Sequence, residues 1–106
     1  MTVERRVASM TNERVSEWLA ELHDHLAATA ERPVATDASR WLGEAEAVSA
    51  DVATGDPPSS VVAKRVEQVR ELLSHVDETG DPAADEHVAA ARDRAERILR
   101  AVEADG

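Results

Sequence analysis

The four histidines are the residues of this sequence best suited to metal or acid–base chemistry, because imidazole binds metal ions and titrates near neutral pH. His75 and His87 lie five residues before and seven residues after Gly80, so an antiparallel helical hairpin would bring them level. Two imidazoles with a nearby carboxylate, Asp77 or Glu86, form a ligand set that zinc accepts. The sequence therefore offers a metal site at His75 and His87 as an alternative. We favour two exposed histidines beside a turn.

The other two histidines follow patterns that are common on helix surfaces. His23 and His25 lie about 200° apart around a helix axis, so they cannot bind one ion together. Glu21 precedes His25 by four residues, and Glu71 precedes His75 by the same interval. This spacing is typical of weak ion pairs along a helix, and it favours a structural role.

No catalytic or cofactor-binding pattern is recognisable in the chain. Cysteine is absent, which excludes thiolate metal sites and a cysteine nucleophile. Phosphotransfer bundles carry lysine three and glycine four positions after their histidine, and no histidine here is followed in that way. All-α nucleotide pyrophosphohydrolases use paired glutamates, but Arg70 intervenes between Glu67 and Glu71. We predict no catalytic residue and no cofactor, and we favour a non-enzymatic protein over the alternative of a small all-α nucleotide hydrolase.

The elements that position these residues are predicted from apolar side chains that recur every three or four residues. This spacing predicts helices over about residues 2–31, 37–54, 60–78 and 82–103. The apolar faces comprise, in chain order, Val15, Trp18, Leu19, Leu22 and Leu26; Ala38, Trp41, Leu42, Ala45, Val48 and Val52; Val62, Val66, Val69, Leu73 and Val76; and Ala84, Val88, Ala91, Ala95, Ile98 or Leu99, and Val102.

Proline, glycine and short polar residues mark where the helices begin and end. Pro33 forces the residue before it out of the helical conformation. Gly55 and Gly80 accept the left-handed conformation that follows a last turn. Asp81 is predicted to cap the fourth helix, with Pro82 at its first position. The predicted caps of the second and third helices are Thr36 or Asp37 and Ser59 or Ser60.

Short connections make consecutive helices antiparallel neighbours. We therefore predict an all-α fold, an antiparallel up-down-up-down four-helix bundle, as a single domain over residues 1–106. Trp18 and Trp41 are predicted core anchors, with an exposed interface tryptophan as the alternative. Large side chains are few and the first helix is long, which together predict self-association through the start of that helix. The residues predicted to form this interface are Val3, Val7 and Met10.

The charge composition indicates a salt-rich environment. The net charge is −10, from 22 acidic and 12 basic residues, and Lys64 is the only lysine. Carboxylates hold water and cations at molar salt, where their mutual repulsion is screened over about 3 Å. This composition favours a halophilic cytoplasm, with an ordinary acidic protein as the alternative. The arginines of the fourth helix alternate with acids such as Asp93, a pattern of ion pairs rather than of a nucleic-acid surface.

The remaining expectations concern location and partners. No apolar run is long enough to cross a membrane. The segment from Met1 to Met10 lacks the apolar stretch and cleavage site of a signal peptide. We therefore expect a cytoplasmic protein that binds neither membrane nor nucleic acid.

Two segments carry a resemblance to a known group of proteins. Trp-Leu-Gly-Glu-Ala-Glu-Ala at 41–47 and Gly-Asp-Pro-Ala-Ala-Asp-Glu-His-Val at 80–88 are similar to small uncharacterised haloarchaeal helical proteins. The resemblance implies a helical fold and no particular activity. Together with the apolar faces, it favours a non-enzymatic interaction module that forms a homo-oligomer or binds another protein.

Overall fold

The helices predicted from the apolar spacing are present in the computed structural model. It describes the backbone of residues 2–55 and 57–105 and the side chains of residues 13–55 and 57–103. Within these residues there are four α-helices and no strand: α1 (Thr2–Thr29), α2 (Thr36–Ala53), α3 (Ser59–Leu73) and α4 (Pro82–Asp105). α1 runs without interruption past Thr11, where the sequence allowed a second start. No described helix is long and apolar enough to cross a membrane.

The four helices form a closed ring of neighbours. Each helix packs against the next one in the chain, and α4 packs against α1. Along the α1–α4 seam, His25 meets His87, while Glu21, one turn earlier in α1, meets Arg94, two turns later in α4. Contacting residues nearer the start of α1 lie nearer the end of α4, so the two helices are antiparallel. The predicted up-down-up-down four-helix bundle is therefore confirmed.

The core consists of leucine, valine and alanine side chains from all four predicted apolar faces. α4 contributes Ala84, Ala91 and Ala95, which are all fully buried. Because alanine is short, these positions let α4 approach its neighbours closely. The larger core side chains come from the other helices and from the end of α4; those that are fully buried include Leu22, Leu26, Val66, Val69, Leu73 and Ile98.

α3 is shorter than predicted, since it ends at Leu73 rather than near residue 78. Ser74 bonds back to the last turn, with its hydroxyl donating to the carbonyl of Glu71. Arg92 of α4 donates to the carbonyls of Leu73 and Val76, and the Leu73 carbonyl also accepts from the backbone N–H of Val76. Val76 is buried as its apolar pattern predicts, but it reaches the core from a turn.

The predicted N-terminal cap is present at α4 but absent at α2 and α3. Asp81 caps α4, because its Oδ2 accepts the backbone N–H of Ala84 at 2.9 Å. The predicted caps of α2 and α3 are wrong: Ala35 and Pro58 precede those helices, and neither makes a side-chain cap hydrogen bond. Thr36 and Ser59 lie inside the helices as their first residues. α1 ends at Thr29, two residues before the predicted end.

Burial on α3 gives a direct stability prediction. Leu73 is fully buried, whereas Val61 on the same helix is 39% exposed. Leu73→Ala is expected to lower the free energy of unfolding by about 2–5 kcal/mol, because it leaves a cavity in the core. Val61→Ala is the control and should change that free energy by less than about 0.5 kcal/mol. Urea denaturation followed by circular dichroism measures both, and equal effects would contradict this assignment of the core.

Candidate functional site

The two histidines of the alternative metal site, His75 and His87, have different partners in the structure. His87 lies at the α1–α4 seam and meets His25, with the two Nδ1 atoms 2.9 Å apart. His75 follows the end of α3 and stacks on Trp41 of α2. The structure therefore pairs His87 with His25, whereas the spacing around Gly80 suggested His75.

His75 and Trp41 form an aromatic contact between α2 and the turn after α3. Their ring centroids are 4.2 Å apart and their planes differ by 16°, which is a stacked arrangement. The guanidinium carbon of Arg40 lies 5.7 Å from the Trp41 ring centroid. The Nε2 atom of His75 lies 3.7 Å from a carboxylate oxygen of Glu71, so the predicted surface pairing of these residues is present. This arrangement supports packing of the turn on α2.

The His25–His87 pair lies half-buried between α1 and α4. The ring centroids are 5.2 Å apart and the rings are tilted by 43°. At an Nδ1–Nδ1 distance of 2.9 Å one nitrogen donates a proton and the other accepts it, so the two neutral imidazoles carry different tautomers. The pair is a polar link between two helices that are far apart in sequence.

Burial lowers the pKa of His25 below its ordinary value, and the positive charges of His87 and Arg94 lower it further. Glu21 and Asp24 act in the opposite direction, but their effect is smaller. The environment of His25 therefore favours the neutral imidazole, which can take part in a hydrogen bond through either tautomer.

A chain of ion pairs continues along the same seam. Arg94 donates through Nε to Glu21 across the helices and through Nη1 to Asp93 on α4. Near the other end of α4, both oxygens of Asp81 accept from Arg32, at 2.9 and 3.2 Å. The hydrogen bond from Arg32 is the main reason that the pKa of Asp81 lies below its usual range. These pairs fix how α1 and its following turn align with α4.

A metal centre with three protein ligands is not present among the described residues. No group of three or more histidine, aspartate or glutamate side chains in the described part of the chain is arranged to hold an ion. The positive guanidinium of Arg94 beside His25 also opposes the binding of a metal cation there. The geometry of the seam is that of hydrogen bonds and ion pairs.

A surface groove of about 500 Å³ lies further along the seam between α1 and α4. Trp18 supplies its aromatic wall, and the residues from α4 are Asp93, Glu96, Arg97, Arg100 and Ala101. Trp18 packs against the core but is only half-buried, so the predicted core anchor is only partly buried. The exposed part of its ring is available to a ligand or partner.

The predicted interface at Val3, Val7 and Met10 is in α1, but these side chains lie outside the described residues. Their positions follow from the helix itself. At about 100° per residue, positions 3, 7 and 10 lie within about 80° of position 18 around the axis.

Comparisons with known proteins give one match. A family described as "Domain of unknown function (DUF8152)" matches residues 18–105, which is most of the chain. No curated protein and no solved structure matches the chain.

The electrostatics of the seam can be tested at Arg94. Arg94→Met removes a positive charge near His25 and frees the carboxylate of Glu21, and both changes favour the imidazolium form. We therefore expect a higher pKa for His25, measured from its ring-proton chemical shifts against pH. Arg100→Met, on the same helix but away from the histidines, should leave that pKa unchanged. An equal pKa in the wild type and Arg94→Met would contradict the account.

Proposed function

Because the chain belongs to the family of domains of unknown function DUF8152, we propose a role for it from its surface: a non-enzymatic interaction module that associates with a second copy of itself. The groove at Trp18 is the main structural support for this role. The described side chains offer no catalytic constellation, whereas this groove has the composition of a protein–protein contact.

The chemistry of the groove favours a protein partner. Tryptophan and arginine are the side chains most enriched among residues that dominate binding energy. Trp18 presents an apolar ring edge, and Arg97 and Arg100 flank it. An apolar centre with charged groups at its edge is the common anatomy of an interface.

The charge pattern of the groove favours a second copy as that partner. Arg97 pairs with Asp93, and Arg100 lies 3.9 Å from Glu96, so both signs alternate along one face of α4. A surface that carries both signs is complementary to itself when a two-fold axis turns it onto its copy. A strongly acidic partner or a nucleic acid would meet like charges or too few basic groups.

The length of α1 gives the contact room to extend. The family match begins at Trp18, and α1 continues before it for sixteen residues, from Thr2 to Glu17, or about 24 Å. Val15 in this segment packs against the core. Helices gain most of their stability from packing, so a partner helix would stabilise the segment further. The sequence places Val3, Val7 and Met10 on its Trp18 side, which supports an interface that continues from the groove along α1.

The acid excess supports a salt-rich cytoplasm as the working environment. With a net charge of −10, two copies repel each other unless salt screens them. Self-association is therefore expected to strengthen as salt rises towards molar concentration. Sedimentation equilibrium over a potassium chloride series measures this, and weaker association at higher salt would contradict the proposal.

Charge reversal in the groove tests the interface with a closely matched control. Arg97 and Arg70 have side chains 51% and 50% exposed, and each pairs with an acid on its own helix. Arg97→Glu should weaken dimerisation roughly 30-fold, the effect of losing about 2 kcal/mol. Arg70→Glu, on the outer face of α3, should leave the dimerisation constant unchanged. Sedimentation equilibrium at molar salt compares them, with circular dichroism to confirm that both variants fold.

The segment before Trp18 is tested by a second pair of variants. Val7→Asp places a charge on the Trp18 side of α1, and Ser16→Asp places the same charge on the opposite, exposed side. Only Val7→Asp should weaken dimerisation. A wild-type chain that stays monomeric at millimolar concentration in molar salt would overturn self-association, and equal effects within each pair of variants would overturn this surface.

A further inference from the structure

The His25–His87 contact has a defined capacity for protons. In the neutral pair, one imidazole donates its Nδ1–H and keeps a free Nε2, while the other accepts at Nδ1 and carries its proton on Nε2. A first added proton can bind the free Nε2 of the donor and leave the Nδ1–Nδ1 bond in place. A second proton has only the accepting Nδ1 as its site, and it removes the lone pair on which the bond depends.

From this geometry we propose that His25 and His87 form an acid-sensitive latch between α1 and α4. The latch is closed while the pair is neutral or singly protonated. It opens when the second proton binds, because two imidazolium rings then face each other across the seam. The latch goes beyond the proposed self-association and does not depend on it.

The groups around His25 determine how strongly a positive charge on that ring is resisted. From α4, His87 and Arg94 face it, and both oppose a positive charge on the ring. From α1 itself, Glu21 and Asp24 favour that charge, but the Glu21 carboxylate is already bonded to Arg94. Burial of the ring adds to the resistance, so the sum of these effects keeps the pKa of His25 below its ordinary value.

The neighbouring helices do not supply a compensating charge to His25. α2 packs against α1, but its Glu46 approaches His23, at 3.9 Å. α3 packs against α4, where Arg92 turns to the carbonyls of Leu73 and Val76. Among the described side chains, the two acids of α1 are thus the groups that favour a charged His25.

The sign of the pH dependence follows from the direction of the pKa shift. In the unfolded chain His25 titrates near its ordinary value of 6.5, and in the folded chain it titrates lower. Between these two values the unfolded chain binds more protons, so the free energy of unfolding falls as the pH is lowered through the window. The full loss is reached below the folded pKa of His25.

Nitrogen-15 NMR of the histidine rings in the full-length chain tests the latch directly. At neutral pH we expect opposite tautomers, with Nδ1 protonated on one ring and Nε2 protonated on the other. On acidification the pair should take up its two protons in separate steps. His87→Gln should raise the pKa of His25, because it removes the facing imidazolium, and it should flatten the fall in stability within the window.

His75→Gln is the matched control, since His75 contacts Trp41 rather than the seam. It should leave the pKa of His25 unchanged. If His87→Gln does not fold, the wild-type spectra alone still test the latch. Identical tautomers in both rings, or a pKa of His25 at or above its ordinary value, would overturn the latch. So would a pKa of His25 that is the same in the wild type and a folded His87→Gln.

Discussion

The pairing of α1 with α4 is the contact on which the rest of the structure depends. The other three helix pairs are consecutive in the chain, so their short connections already hold them together. No connection joins α1 to α4, so contacts between residues distant in the chain must align them. One is the backbone hydrogen bond from the N–H of Ala35, after α1, to the carbonyl of Thr79, before α4. Short alanines let α4 approach closely, and the pairs of Glu21 with Arg94 and of Arg32 with Asp81 determine the register.

Polar groups on this seam specify its alignment more than they add stability. An apolar surface tolerates small shifts, whereas an ion pair keeps its attraction only while its two partners stay opposite each other. A shift of one turn would separate Arg94 from Glu21 and His25 from His87 together. The Trp18 groove lies on the same seam, so the self-association and the acid response that we propose both concern the surface where the ring of helices closes.

The sequence predicted features whose cause is local and missed those that need an alignment between distant helices. Asp81 was identified as a cap because its partner is three residues away. The end of α3 was missed because Val76 continues the apolar spacing after the helix, in a segment whose carbonyls bond to Arg92 of the distant α4. His87 was selected as a site residue, but its partner was not found. Only the α1–α4 register brings His25 to it, and turns between consecutive helices do not reveal that register.

We propose that the α1–α4 seam is the contact of this bundle that responds to acid and that the histidine pair controls this response. Amide hydrogen exchange followed residue by residue over a pH series tests this most directly, after correction for the intrinsic pH dependence of exchange. On acidification through the titration of His25, the account predicts that amides of α1 and α4 lose protection first, while those at the α2–α3 contact keep theirs. Equal loss in all four helices, or earlier loss in α2 and α3, would contradict it.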